Sequence, residues 1–497
     1  MTLPSVLYSL FLTGVFGLYW LLPTRPLKLW LIVIASLMFY GSLQAQYVPL
    51  LGVLVALNFY LGQQLATPLD WRIPNAAWQN ARQDWNQQRL RLLQLGVALN
   101  VLLLLGFKYL SPTLNMLGFT LPANPAADPA DLATGILMPL GLSFFTFECI
   151  AYLIDVYRGS PAASSFVQFA AYKLFFPKLI SGPITRFHGF TGQLKALHFP
   201  RLSQGIEGVW LIAIGAVKKL LIADHLGLLV NLSFDNLARA GSGDLWLATL
   251  AYGLQLYFDF SGYVDIARGS ALLLGFNLPQ NFNFPYFSTS IADFWRRWHM
   301  TLGDWLRNYL YFPLGGSRRG IGRTCLNLML IMLVAGIWHG DRWGFVIWGG
   351  LHGLALIAHR LNARLAERWP GLKALWLSLP GMLLAWLLTQ TMVFSSWIFF
   401  RLPSLSDSGL ALQKLWGQAA DAQFAQKVYQ EAFGLSRPQL LLLILLIMAG
   451  MCVAHSIQRG LQLQLSWPVK TLLIPLCFFI AWLLAPTETA PYIYFDF

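Results

Sequence analysis

Charged residues are scarce in this chain of 497 residues. Asp, Glu, Lys and Arg together make up 11% of it, whereas apolar residues make up 57%. A typical soluble domain carries about 25% charged residues. The composition therefore excludes a disordered chain or a collagen-like repeat, and it argues against a water-soluble enzyme.

Several common functional signals are also missing. The four cysteines, Cys149, Cys325, Cys452 and Cys477, lie far apart, which argues against a disulfide framework and against a cysteine metal site. The sequence has no glycine-rich phosphate loop and no serine nucleophile elbow. The chemistry that remains is built on histidine and acts on a donor that is already activated.

The net charge of +13 does not come from one basic patch, because the basic residues are scattered between apolar segments. In a membrane protein such a pattern indicates topology and attraction to anionic lipid. We therefore expect the bilayer as a partner and no nucleic acid.

Long apolar runs are what the sequence has in abundance. The first run, 3–22, is followed by Arg25 and Lys28 and has no basic residue before it, so it is interpreted as a retained span and not as a signal peptide. Further long runs lie near 29–43, 48–65, 92–110, 133–154, 205–233, 244–276, 377–400, 438–454 and 470–485. We predict an all-α, polytopic integral membrane protein with about 10–13 transmembrane or re-entrant helices. Without internal repeats or linkers, residues 1–497 are expected to form a single domain.

The distribution of basic residues predicts the orientation. Segments 23–28, 42–47, 66–91 and 113–131 carry two, zero, four and zero basic residues in turn. The positive-inside rule then places the N-terminus outside the cytoplasm and 66–91 inside it. Segments 158–201, 286–323 and 360–373 also become cytoplasmic, whereas the four basic residues of 401–437 break the alternation.

One cytoplasmic segment has the pattern of an amphipathic helix at the membrane interface. Wound at about 100° per residue, 293–310 separates into two faces. The polar face carries Arg296, Arg297, Met300, Asp304, Arg307 and Asn308, and the other carries Trp295, Trp298, His299, Leu302, Trp305, Leu306, Tyr309 and Leu310. His299 is therefore expected to point inward, either as a core residue or as part of a site.

His339 lies between two apolar runs, 324–338 and 345–358, which are short for a bilayer that needs about 20 residues. Both flanking segments are basic, so the runs predict a hairpin whose tip, with its glycines, stays within the membrane. His339 and Asp341 would then occupy a polar pocket. A histidine at that depth is a candidate general base, although a structural role remains the alternative.

Four acidic residues, Glu148, Asp155, Asp259 and Asp265, lie within apolar or aromatic stretches. We expect them to pair with nearby basic residues more often than to take part in chemistry. Ser261-Gly262, between the last two, suggests a break in the helix.

Several of these stretches resemble the membrane-bound O-acyltransferase family, most closely its bacterial branch that O-acetylates alginate and other exopolysaccharides. The likeness is carried by residues 143–158, 176–186, 257–265, 295–311, the Trp338-His339-Gly340 motif and 348–353, with a family-like core of 143–353 and a similar ending at 492–497. Asn308 departs from the family pattern, where aspartate is expected.

The resemblance implies a fold with a cytoplasmic funnel and a central tunnel, in the inner membrane. It implies that His339 is catalytic and that His299 is the second site position. The donor would be acetyl-CoA or another acyl thioester, without a metal, and a periplasmic acetylation partner protein is expected. Trp298, Trp305, Arg297 and Arg307 are candidate substrate-binding residues at the donor entrance.

The predicted activity is transfer of an acyl group, expected to be acetyl, from a cytoplasmic thioester across the membrane for O-acetylation of an exported polysaccharide. One alternative is D-alanyl transfer from a carrier protein to teichoic acid. Another, from a different class, is a proton-coupled polysaccharide or lipid transporter, which the lack of two-half symmetry disfavours.

Overall fold

The computed structural model describes residues 3–68, 75–116, 138–486 and 490–496. Within these ranges the regular structure is helical and no β-strand occurs, in agreement with the predicted all-α class. Most of the 113–131 loop, on which part of the orientation argument depends, lies outside the described residues. So do residues 69–74.

The helices of the first half follow the apolar runs. They are α1 (Val6–Leu21), α2 (Arg25–Gln44), α3 (Val48–Ala66), α4 (Asn75–Met116), α5 (Leu142–Tyr157), α6 (Phe166–Leu174), α7 (Phe187–Gln193), α8 (Leu202–Ala216), α9 (Asp224–Phe234) and α10 (Ser242–Leu273). Short 3₁₀ segments occupy Ala45–Tyr47 and Leu194–Ala196, and the π-helical segment Val217–Ala223 joins α8 to α9.

The second half continues the pattern. Its helices are α11 (Ile291–Arg297), α12 (Met300–Leu306), α13 (Gly320–His339), α14 (Trp343–Arg368), α15 (Pro370–Leu377), α16 (Leu379–Arg401), α17 (Leu405–Lys414), α18 (Ala422–Ala425), α19 (Arg437–His455) and α20 (Trp467–Leu483). Between and after them lie π segments Arg307–Tyr311, Gln426–Ala432 and Ser456–Gly460 and 3₁₀ segments Pro285–Phe287 and Ile493–Asp496.

Five helical stretches of the described chain are long and apolar enough to cross a membrane. They are Arg25–Ala66, Gln79–Leu110, Gly320–His339, Leu379–Arg401 and Arg437–Gly460, and the shorter apolar helices α1 and α20 accompany them. Large apolar side chains on α16, α19 and α20 are exposed, including Leu383, Leu446 and Trp482. Such faces suit contact with lipid.

The chain divides into two compact units. The first comprises Met1–Ile212 with Ile266–Pro279, and the second comprises Ala213–Asp265 with Gln280–Phe497. The single-domain organisation expected from the sequence stays a prediction.

In the first unit a buried carboxylate organises α5 and the segment after α6. Glu148 accepts hydrogen bonds from the Lys178 ammonium at 2.5 Å and from the Lys173 ammonium at 3.2 Å. The backbone N–H and hydroxyl of Thr185 donate to it at 2.9 and 2.8 Å. A buried charge needs this degree of compensation, so the expected pairing of Glu148 with basic residues is confirmed.

The second unit shows the same pairing for two further acids and corrects one prediction. Asp265 accepts from Lys218 at 2.6 Å and Asp259 from Lys219 at 2.8 Å. The helix break expected at Ser261-Gly262 is wrong, because α10 runs through it without interruption. A Cβ on Gly262 would lie 2.9 Å from the carbonyl oxygen of Gly215, so the glycine permits close packing and not a break.

The two runs around residue 340 do form a helical hairpin, α13 and α14, but the expectation that its arms are too short to cross the membrane is wrong. The position of its tip within the membrane stays a prediction. α13 has 20 residues, enough for about 30 Å of rise and hence a full crossing. α13 begins four residues before its apolar run, at Gly320, and α14 continues through the largely polar residues 359–368. A Cβ on Gly336 would lie 2.3 Å from the Phe345 carbonyl oxygen, which shows how closely α13 and α14 approach.

Candidate active site

His339 is the last residue of α13 and is buried, with 4% of its surface exposed. Its imidazole centroid lies 4.4 Å from the ring of Trp338, 4.8 Å from Phe400 and 5.2 Å from Trp348. Rings at these distances hold the imidazole in place and keep bulk water away from it. The turn after His339, however, does not place an acidic residue in a buried pocket. Asp341 is exposed and lies 4.0 Å from Arg342, so its expected place in a polar pocket beside His339 is wrong.

His299 occupies a break between two short helices, and the single helix predicted over 293–310 is therefore wrong. Its φ of +42° and ψ of +56° fall in the left-handed region, where a residue other than glycine is uncommon. Serine caps the helix before it, since Ser290 accepts from the Asp293 N–H at 3.1 Å. The inward orientation predicted for His299 is confirmed, because its exposed fraction is 1%.

The break at His299 is held by a neighbouring loop. Asn281 accepts from the Met300 N–H at 2.9 Å through its backbone carbonyl, and its side chain accepts from the Thr301 hydroxyl at 2.6 Å. The Asn283 N–H donates to the Arg297 carbonyl at 3.0 Å. These bonds compensate for the unfavourable backbone conformation, which costs about 1–3 kcal/mol and persists only where the surroundings impose it.

Burial also sets the protonation of His299. Removal of the ring from water lowers the pKa of His299 to about 3, because the cationic form loses its hydration. The imidazole is therefore neutral near pH 7, when it can both donate and accept a hydrogen bond.

Tyr494 brings the two histidines into one cluster. Its ring centroid lies 6.1 Å from that of His299 and 6.2 Å from that of His339, within the range of edge-to-face ring contacts. Phe260 of α10 stacks on Tyr494 at 3.9 Å and contacts His299 at 4.9 Å. The sequence alone does not reveal this role of the 492–497 ending, because nothing local indicates where the ending packs.

A third buried histidine, His352, lies beside the site, and no local sequence pattern indicates its role. The Trp295 indole N–H donates to its Nδ1 at 3.2 Å, so the proton of the neutral ring is on Nε2, which donates to the Ser396 hydroxyl at 3.0 Å. With both nitrogens engaged, His352 supports the Trp348 ring at 4.8 Å and through it the wall beside His339.

The four candidate substrate-binding residues fall in different environments. Trp298 is buried in an aromatic cluster, with Phe294 stacked at 5.6 Å and Trp397 at 5.3 Å. Trp305 is half-buried against Tyr309, at 5.5 Å.

The two arginines form local ion pairs. Arg297 bonds Asp293 at 2.8 Å and Arg307 bonds Asp304 at 2.7 Å, the latter pair being largely exposed. Substrate binding by these two arginines and by the two tryptophans stays a prediction.

Comparison with known proteins identifies the family. Residues 141–400 match the family model described as MBOAT, membrane-bound O-acyltransferase family, and this range contains both His299 and His339. The chain belongs to the membrane-bound O-acyltransferase family, and it is accordingly a multi-pass membrane protein.

Individual relatives extend beyond that range. A protein of Azotobacter vinelandii named as a probable alginate O-acetylase is 38% identical over 81% of this chain and 75% of its own length. A peptidoglycan O-acetyltransferase of Helicobacter pylori is 32% identical over 95% of this chain and 91% of its own. A teichoic acid D-alanyltransferase of Streptococcus thermophilus matches 44% of this chain, with 31% identity.

Proposed function

We propose that this O-acyltransferase moves an acetyl group from a cytoplasmic thioester, acetyl-CoA, to a hydroxyl that leads to O-acetylation of an exported polysaccharide. The observation that carries the proposal is the buried cluster of His299, Tyr494 and His339. Relatives named for alginate and peptidoglycan O-acetylation match this chain over most of its length. The D-alanyltransferases match less than half of it.

The chemistry requires a hydroxyl oxygen to attack an activated carbonyl. His339 acts as the general base and takes the hydroxyl proton as the oxygen bonds to the thioester carbonyl carbon. The carbon–sulfur bond then breaks, and the leaving thiolate receives the proton from His339, so that the imidazole is restored. His299, neutral and fixed by the backbone around it, orients the reacting groups or polarises the carbonyl by a hydrogen bond.

The donor is proposed to approach from the side of α11 and α12. Arg297 and Arg307 supply positive charge there that attracts the phosphates of coenzyme A, and anchoring to anionic lipid uses the same charge. Trp298 directly follows α11, and Trp305 lies in α12. This arrangement follows the positive-inside orientation, with 286–323 in the cytoplasm, the N-terminus outside it and the chain in the inner membrane.

The acceptor on the far side is either the polysaccharide itself or a relay hydroxyl on a periplasmic partner protein. Both accept the same acetyl group, and both need the proton removed by the base. An assay with purified chain alone and an exported polysaccharide distinguishes them, because only direct transfer proceeds without the partner.

The test of the function uses membrane vesicles of defined orientation that contain the full chain. Inverted vesicles that enclose the acceptor polysaccharide and the periplasmic partner should release free coenzyme A when acetyl-CoA is added on the exposed cytoplasmic face, and right-side-out vesicles should not. Vesicles with His339→Ala serve as the matched control. Equal release by the control, or turnover of a D-alanyl carrier protein in place of acetyl-CoA, would overturn the proposal.

A further inference from the structure

The last described segment, residues 490–496, carries two buried tyrosines although it has little regular structure. Tyr492 and Tyr494 are each only 3% exposed, and a short 3₁₀ turn covers Ile493–Asp496. So short a segment has few internal hydrogen bonds. Its position must therefore come from the groups that it contacts.

One of these groups is the buried ammonium of Lys219, in the π-helical segment Val217–Ala223. Its Nζ lies 2.8 Å from Asp259 and 2.8 Å from Asp224, and it donates to the Pro491 carbonyl at 3.3 Å. The same nitrogen lies 4.5 Å from the centroid of the Tyr492 ring, a cation–π contact. All three N–H bonds of the ammonium thus have acceptors, one of them on the 490–496 segment.

Asp259 bonds the same segment from the other side. One carboxylate oxygen accepts from Lys219, and the other accepts from the Ile493 N–H at 3.0 Å. The next residue of α10, Phe260, stacks on Tyr494. Tyr263, one turn further, contacts Tyr492 at 5.1 Å.

The ion cluster is poorly explained as a stabilising device alone. One ammonium between two carboxylates leaves an excess negative charge in a buried place, and well-packed apolar residues usually stabilise as well as a buried ion pair does. π-helical segments are rare and occur frequently at functional sites. Detachment of the 490–496 segment would remove one partner from Lys219 and one from Asp259.

We propose that Lys219 and Asp259 form a clamp that docks the 490–496 segment and so holds Tyr494 between His299 and His339. Both are positioning residues, since each acts through the segment and neither contacts an imidazole by the bonds described above. The proposal rests on the proposed function for its catalytic consequence, but the docking itself is measured independently of activity.

Docking is measured by the reactivity of a reporter cysteine in the full chain. Phe495→Cys is introduced after serine replaces the four native cysteines, and its rate of maleimide labelling is followed in detergent. We expect Lys219→Met and Asp259→Asn to accelerate labelling by about tenfold or more, because exposure follows the population of the detached state. Acetyl transfer should fall in parallel, and Lys219→Arg should retain more protection than Lys219→Met.

The adjacent ion pair is the matched control. Lys218 bonds Asp265 at 2.6 Å, so Lys218→Met also removes one lysine from an ion pair on the same π segment. This variant should label at the rate of the parent. Equal acceleration in Lys218→Met would show a general loosening of the segment 217–223 and would overturn the clamp.

A second variant covers the case in which loss of a buried charge prevents folding. Ile493→Pro removes the N–H that donates to Asp259 and leaves all three charges in place, and proline is tolerated at the first position of a helical turn. It should also label faster and transfer less acetyl.

The remaining outcomes are decisive. Unchanged labelling in Ile493→Pro and the clamp variants overturns the docking, whatever their activity. Faster labelling with full acetyl transfer overturns the positioning role. If the clamp variants label faster but the parent chain never transfers acetyl, the docking proposal is supported and the proposed function is contradicted.

Discussion

The rings of His339 and Tyr494 lie 6.2 Å apart, measured between centroids, although one ends a long apolar helix and the other belongs to the last described segment. His299 lies at nearly the same distance from Tyr494, on a different element again. Three separate parts of the sequence thus meet at one phenol ring, and each can be tested by itself.

Removal of the proposed base should abolish turnover. His339→Ala is expected to lower acetyl transfer by about 100-fold or more, the usual contribution of a positioned general base. The measurement is release of coenzyme A from acetyl-CoA in inverted vesicles that enclose the acceptor, with the amount of folded protein checked by size-exclusion chromatography. A well-folded variant with normal turnover would remove His339 from the mechanism.

His299 should respond differently to alanine and to asparagine. His299→Ala removes the group proposed to bond the reacting atoms and should reduce turnover severely, by about 100-fold, whereas His299→Asn retains a neutral donor and acceptor and should lose less. Asparagine also adopts left-handed backbone more readily than alanine. Equal activity of both variants and the parent would leave His299 a core residue.

The depressed pKa of His299 makes a prediction about pH. The folded chain keeps this imidazole neutral down to a pKa of about 3, whereas the unfolded chain protonates it near its ordinary value of about 6.5. The contribution of this pKa difference to the free energy of unfolding is therefore complete above about pH 6.5, and it declines as the pH falls toward 3. Thermal unfolding of the parent should drop more between pH 7.5 and pH 5 than that of His299→Asn, and the acid limb of the activity profile should be the same in both.

The hydroxyl of Tyr494 can be separated from its ring. Tyr494→Phe keeps the stacking on Phe260 and should lower transfer about tenfold, as loss of one hydrogen bond of about 1.4 kcal/mol would. Tyr494→Ala also loses the ring contacts and should lower it further. Mass analysis of the 490–496 peptide after incubation with donor then shows whether the phenol itself carries an acetyl group. Full activity of Tyr494→Phe would limit this residue to packing.

Loss of the buried carboxylate of the first unit should lower the free energy of unfolding more than loss of a carboxylate in an exposed ion pair. Glu148→Gln leaves Lys173 and Lys178 without their carboxylate and should destabilise the chain by about 3–5 kcal/mol. Asp235→Asn breaks the more exposed pair with Arg401, at 2.9 Å, and should cost no more than about 1 kcal/mol. Thermal unfolding in detergent measures both, and a similar shift in the two variants would contradict the argument.

The orientation of α13 in the membrane can be tested with two single-cysteine variants. Ser317 is exposed before α13, and Arg342 is exposed after it. If α13 crosses the bilayer with its first turn in the cytoplasm, Ser317→Cys should react with a membrane-impermeant maleimide only after permeabilisation, and Arg342→Cys should react in intact spheroplasts. The reverse pattern would invert the orientation and remove the cytoplasmic donor entry.

Composition and local pattern by themselves determined the helical membrane class and the pairing of buried acids with basic residues. These properties follow from local sequence, because an apolar run of sufficient length favours a helix in lipid and a buried charge requires a partner. The inward orientation of His299 was also predicted, although the continuous helix used for that prediction does not form. The sequence also singled out His339 by its place between two apolar runs.

Tertiary structure decided the rest. The helix breaks at His299 because Asn281 and Asn283, from another segment, bond the backbone around it, and α10 stays continuous at Gly262 because a neighbouring carbonyl packs against the missing side chain. Tyr494 reaches both histidines through contacts of its segment with residues far away in the chain, among them Lys219, Asp259 and Phe260. Contacts between residues far apart in the chain depend on how helices pack. The periodicity of a single helix indicates which face is buried, but not which residues pack against that face.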